Sequence, residues 1–210
     1  VLLIVAVGLA FYPVVGHEFL MYDDPLNVTE NRFLESPLQW RRVVRFWIAP
    51  YEGLYAPVSY TFYAGIVRGS ELIGAVDSEG KLAAWPFHLA NLVLHAATSV
   101  VVFLLLRRFV ASRWAALAGG LLFGLHPLQA ESVAWVTETR GLLAGLFGML
   151  ALWQYVVAVQ EIDHFQRIRT RKYALASVCF LIAILCKPSA AAVPVMAGVL
   201  GIGLLQRPWK

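Results

Sequence analysis

The chain has 210 residues, of which 60% are hydrophobic and 14% charged, against roughly 45–50% and 25% in a soluble domain. That balance excludes an ordinary soluble enzyme, and a formal net charge of +4 carries meaning only once the basic residues are placed. Nothing in it points to a nucleic-acid partner.

A bilayer core takes about 20 mostly apolar residues per helix, and six segments qualify: Val1–Val15, Phe87–Leu106, Trp114–Leu125, Gly141–Gln160, Tyr173–Cys186 and Ala190–Leu205. The predicted fold is an all-α polytopic transmembrane helical bundle of about six spans. Because the sequence opens inside one apolar run and stops just after another, it reads as a piece of a longer protein. Residues 1–15 are then a truncated first span, 16–86 a long loop, and 87–206 five further spans.

The first run gives way to Phe19-Leu20-Met21-Tyr22-Asp23-Asp24-Pro25, two adjacent carboxylates at an expected membrane surface. Pro25 pushes Asp24 toward extended backbone, so the pair is predicted to lie outside a helix with diverging side chains. One aspartate then faces a cleft while the other holds the loop; taken alone, the pair is explained more simply as a turn at a helix end. Asn27-Val28-Thr29 matches a glycosylation sequon. Ser36-Pro37-Leu38-Gln39 reads as a helix start, with Ser36 as N-cap and Gln39 completing a capping box. Trp40, Val43, Val44, Trp47 and Ile48 recur at helical spacing opposite Arg41, Arg42 and Arg45, the pattern of a helix lying in the interface. Tyr55–Ile73 suggests a second interfacial or re-entrant element, Asp77–Lys81 an exposed turn, and Trp85-Pro86 the start of the next span.

Within that span His88, Asn91 and His95 share one helix face and should look into the bundle, for structure or for function. Glycines 119, 120, 124, 141, 145 and 148 are expected to allow close helix packing. The connection His126–Arg140 holds Glu131 one turn before Trp135, with Arg140 opening a span. Lys187, followed by Pro188, interrupts an apolar run and must snorkel or meet an anion. Cys179 and Cys186 stand seven apart in one helix, their Cα atoms ~10 Å apart, too far for a disulfide.

Arg107, Arg108 and Arg113, then Arg167, Arg169, Arg171 and Lys172, then Arg207 and Lys210 fall on one side if the spans alternate, which makes that side cytoplasmic. Asp23, Asp24, His126, Glu131, Arg140 and Lys187 converge on the other. Cations that hold a phosphate beside a carboxylate that moves a proton suit a lipid-linked phosphate substrate in contact with membrane lipids.

The motifs Tyr22-Asp23-Asp24-Pro25 with Glu30-Asn31, Phe87–His95, His126-Pro127 with Glu131–Val136, and Cys186-Lys187-Pro188 come in an order that resembles the membrane half of the tetratricopeptide-containing O-mannosyltransferase-like proteins. These are similar to the protein O-mannosyltransferases of the GT-C superfamily. The resemblance implies an inverting, multi-span glycosyltransferase. It would use a polyprenyl-phosphate-linked sugar and a protein or glycan acceptor, in the bacterial inner membrane or the endoplasmic reticulum. It further implies Asp23 as the base, Asp24 supporting it or binding the acceptor, Arg140 and Lys187 on the donor phosphate, and His126, Glu131 and His88 shaping the site. No redox cofactor is implied; a divalent cation is compatible with the superfamily, though not required by the relatives resembled. Relatives carry Arg-x-Asp at positions 139 and 141, whereas here the cation stands at Arg140 and position 141 is glycine. A transporter using the same polar cavity and a membrane anchor without catalysis remain alternative readings.

Overall fold

The computed structural model describes residues 1–160 and 166–204, with side chains for 1–160 and 170–203. Among the described residues ten α-helices follow in chain order: α1 (Leu2–Phe11), α2 (Trp40–Val43), α3 (Arg45–Ile48), α4 (Pro57–Leu72), α5 (Trp85–Leu106), α6 (Arg113–Gly124), α7 (Gln129–Ala134), α8 (Thr139–Gln160), α9 (Gln166–Cys186) and α10 (Val193–Val199). Short 3-10 or π-type turns extend several of them, and there is no strand among the described residues. The all-helical expectation holds.

The expectation of about six spans is corrected. Among the described residues two helices are long and apolar enough to cross a membrane, Trp85–Leu106 and Val136–Gln160. At 1.5 Å per residue the 22 residues of α5 reach ~33 Å, whereas the 12 of α6 reach only ~18 Å. The run after Lys187 changes between 3-10, α and π geometry. Arg167, Arg169, Arg207 and Lys210, counted in the charge pattern, lie outside the described side chains.

α5 is the central post, packed by α1, α4, α6, α7 and α8, and α9 lies along α8. Two of the expected glycines lie where α6 meets α1 and α5. A Cβ at Gly124 would meet Val7 Cγ2 at 2.8 Å and Ser99 Oγ at 2.9 Å, and one at Gly120 would meet Phe103 Cβ at 3.2 Å. Gly145 faces open space instead. The Gln160 amide donates to the Arg108 carbonyl at 3.0 Å, which brings the end of α8 beside the basic connection after α5. Lys187 meets Glu138 at the opposite end.

Residues 17–84 form a layer over that opposite end. Its core gathers Leu34, Val43, Phe46, Tyr60, Tyr63 and Phe87, with Phe46 stacked on Tyr60 at 4.4 Å between centroids. The interfacial pattern appears as a surface: Trp40, Val44, Trp47 and Ile48 are exposed while Val43 and Phe46 turn inward. The helix is nevertheless split at Val44 into α2 and α3. Ser36 is not its N-cap. The Ser36 hydroxyl and the Leu38 N–H both donate to Glu71 Oε1, at 3.0 and 2.6 Å, so a carboxylate from α4 captures the turn and the helix starts only at Trp40. Asp77–Lys81 is the expected turn, with Asp77 Oδ1 accepting the Glu79 and Lys81 N–H groups and Gly80 at φ +83°.

Candidate active site

The two aspartates separate. Asp24 is fully buried, and its Oδ1 accepts both the Thr137 N–H (2.9 Å) and the Thr137 hydroxyl (2.7 Å), while Oδ2 accepts the Leu20 N–H (2.9 Å). Charge-assisted bonds of this kind are among the stronger ones in proteins. They override the local preference before proline: Asp24 is helical, at φ −63° and ψ −38°, and opens a π-type turn over Pro25–Thr29. The expectation of an extended backbone is therefore corrected. Asp23 is half-buried, and its carbonyl accepts the Asn27 amide at 2.8 Å. Among the described residues, no hydrogen bond or ion pair reaches its carboxylate. Asn27 is buried, with Oδ1 accepting the Tyr60 hydroxyl at 2.8 Å, which removes it as an accessible sequon.

The segment 135–140 is the receiving half. Trp135 is extended, residues 136–138 make one 3-10 turn, and α8 begins at Thr139. Each turn of this backbone is held from a different element. Asn91 of α5 donates to the carbonyls of Val133 and Trp135 at 3.3 and 2.9 Å and accepts from the Thr139 hydroxyl. The Tyr63 hydroxyl of α4 lies 3.0 and 3.2 Å from the carbonyls of Val136 and Thr137. Tyr22 sets its ring 6.0 Å from that of Trp135. The polar face of α5 is thus used structurally at Asn91 and also at His95, whose Nε2 sits 2.8 Å from the Gly124 carbonyl.

The cations stand beside this segment. Arg140 Nε donates to the Thr137 carbonyl at 3.3 Å, and its guanidinium lies next to the Tyr60 hydroxyl. Burial pushes Tyr60 up to about 12, opposed by that positive charge. Burial also raises Tyr63, so both hydroxyls stay protonated donors. Lys187 leaves α9 because Pro188 has no N–H with which to continue the helix, and the freed Cys186 carbonyl accepts the Ser59 hydroxyl at 3.1 Å. The ammonium then bonds both carboxylate oxygens of Glu138 at 2.9 Å. Arg140 and Lys187 line one cavity of about 240 Å³, otherwise walled by Leu54, Tyr55, Ala56, Cys186, Pro188 and Ser189. Two cations among mostly apolar walls can hold the charged head of an amphiphile.

Of the residues singled out from sequence, Asp24 and Arg140 meet on Thr137, with Asp23 next to the first and Lys187 next to the second. His126 and Glu131 are exposed, and His126 Nδ1 accepts the Leu128 N–H at 3.2 Å. His88 is buried, with Nε2 3.4 Å from the Glu18 carbonyl and Nδ1 unpartnered. Sequence reasoning missed Thr137, Glu138, Tyr63 and Ser59. Only Glu138 carried a signal, a carboxylate three residues before Gly141 on one helical face. Among the described residues no three His, Cys, Asp or Glu side chains gather as a metal site would need.

An all-helical membrane protein with a carboxylate and two cations at one end of its bundle is the class these features define. The chain is similar to proteins named protein O-mannosyl-transferase. It is 32% identical over 143 residues to Tmtc2 of Drosophila melanogaster, covering 65% of this chain and 14% of the relative. It is 28% identical over 185 residues to tmtc2 of Xenopus laevis, covering 84% and 20%, and 34% identical over 116 residues to human TMTC4, covering 48% and 16%. The chain therefore spans at most a fifth of the length of these relatives. No family model matches, and no solved structure does. The resemblance read from the sequence is matched by homologues that carry the mannosyl-transferase name.

Proposed function

We propose that this chain is the site-bearing membrane part of an inverting glycosyltransferase. It moves mannose or another hexose from a polyprenyl-phosphate donor to a hydroxyl of a protein or glycan acceptor on the non-cytoplasmic side. The protein is multi-pass, in the bacterial inner membrane or, in a eukaryote, the endoplasmic reticulum, with the basic connections on the cytoplasmic side. Asp23 takes the acceptor proton as the hydroxyl oxygen attacks the anomeric carbon. The bonding pair of the sugar–phosphate link departs with the phosphate oxygen, whose charge Arg140 and Lys187 receive. Asp24 and Thr137 fix the distance between base and cations.

The observation that carries this reading is the Asp24–Thr137 linkage. It ties the loop bearing an unpartnered carboxylate to the segment bearing the cation cavity. The full-length protein in membranes, given polyprenyl-phosphate sugars, should release or transfer the sugar, and Asp23→Asn should remove most of that turnover, by ~100-fold or more. Turnover unchanged in the variant overturns the mechanism. A second reading, a membrane anchor without catalysis, draws on the Glu138–Lys187 pair, which neutralises one of the two cations. It predicts no turnover with any donor.

A further inference from the structure

We propose that Glu138 tunes the cation cavity to a singly charged phosphodiester and against a doubly charged phosphomonoester. The inference rests on the reading of that cavity as a phosphate site. Arg140 and Lys187 are its two cations, and Glu138 places both oxygens on the Lys187 ammonium at 2.9 Å. One net positive charge is left for a ligand. The room for this carboxylate is made by Gly141, where a Cβ would collide with Glu138 Oε2 and stand 3.4 Å from Lys187 Nζ. Lys187 lines the cavity and Glu138 stands behind it on the ammonium; the pair is partly open, with side chains 35% and 22% exposed, so the carboxylate acts on a ligand by offsetting the Lys187 charge.

Donor and product of a lipid-phosphate glycosyl transfer differ in charge by the same single unit. The donor is a diester with one negative charge. When the sugar–oxygen bond breaks, its electron pair stays on phosphate, the acceptor oxygen forms the new bond, and the acceptor proton goes to Asp23. The lipid leaves as a monoester whose second ionisation falls near pH 6, giving roughly −1.5 to −2 at neutral pH. A site with one net positive charge matches the first and leaves the second over-charged against Glu138. Discrimination by a repulsive element is a common route to specificity, and here it favours product release.

The test uses the full-length protein in neutral nanodiscs, with dodecyl phosphate as the monoester probe and dodecyl methyl phosphate as the diester. Wild type should bind the diester at least as tightly as the monoester at neutral pH. Glu138→Gln should tighten monoester binding about fivefold to tenfold while changing the diester less. Gly141→Ala, which displaces the carboxylate without removing it, should shift the ratio in the same direction. From about pH 5 to about pH 8 monoester binding should strengthen in Glu138→Gln and not in wild type. Tight binding with the same monoester-to-diester ratio in wild type and Glu138→Gln overturns the inference and leaves the phosphate site standing. Weaker binding of both probes in Glu138→Gln makes Glu138 a support for Lys187 and also overturns it. If neither probe binds any of the proteins, the phosphate reading itself falls.

Discussion

In the layer of residues 17–84, rings and hydroxyls are buried together: Phe46 stacks on Tyr60, and Tyr60, Tyr63 and Ser59 each spend a hydroxyl on a named acceptor. In the bundle of α1, α5 and α6, contact is made by removing bulk at Gly120 and Gly124. Hydrogen bonds are directional and fix where a partner lies, whereas close packing fixes mainly how near it comes. The bonds from the layer end on residues 136–139 and on Cys186, the backbone that carries Arg140 and Lys187. The layer therefore sets the geometry of the site, and the bundle supplies the stiff wall it is pinned to.

Substitutions on the two sides should separate along that line. The largest effect is expected at Asp24→Ala, which leaves the Thr137 N–H and hydroxyl and the Leu20 N–H without their acceptor. Thermal unfolding in detergent should show a loss of about 3 kcal/mol or more, together with loss of turnover. Gly124→Val overpacks the α1–α5–α6 contact and should cost about 1–3 kcal/mol by the same measurement. Turnover per folded molecule should stay near wild type; a variant that unfolds no earlier than wild type contradicts the close approach at Gly124. The smallest effect is in pH. Burial raises the Glu71 carboxyl, but Arg68, the Leu38 N–H and the Ser36 hydroxyl together outweigh it and hold its pKa below the ordinary glutamate range. A carboxyl with a folded pKa below its unfolded one stabilises above the unfolded value and loses that contribution as pH falls through the folded value. Glu71→Gln should therefore be less stable than wild type near neutral pH, with a difference that shrinks as pH falls through the carboxylate range, so that its unfolding temperature varies less with pH than that of wild type.

Much of the bundle was legible in the sequence. α5 and α8 start and end within two residues of the apolar runs that announce them, because long apolar periodicity answers to burial alone. What failed were positions decided by distant partners. Ser36 has every local mark of an N-cap, yet Glu71, 35 residues on, takes its hydroxyl. Asp24 precedes a proline, yet Thr137, 113 residues on, holds it helical. Lys187 and Arg140 could be named from a lysine in an apolar run and an arginine at a span start. Their shared cavity depends on Pro188 ending α9 beside α4, and Glu138 came to notice only through its pairing there. The span count failed for another reason: apolar composition marks a segment as buried in lipid or in protein, and α6 is too short to cross alone.

The division of labour between the two aspartates is tested most directly by measuring unfolding temperature and donor turnover on Asp23→Asn and Asp24→Asn of the full-length protein side by side. Asp23→Asn should unfold where wild type does and lose turnover, because its carboxylate holds nothing in place; Asp24→Asn should unfold earlier. An Asp23→Asn protein that turns over normally, or an Asp24→Asn protein as stable as wild type, would contradict the assignment.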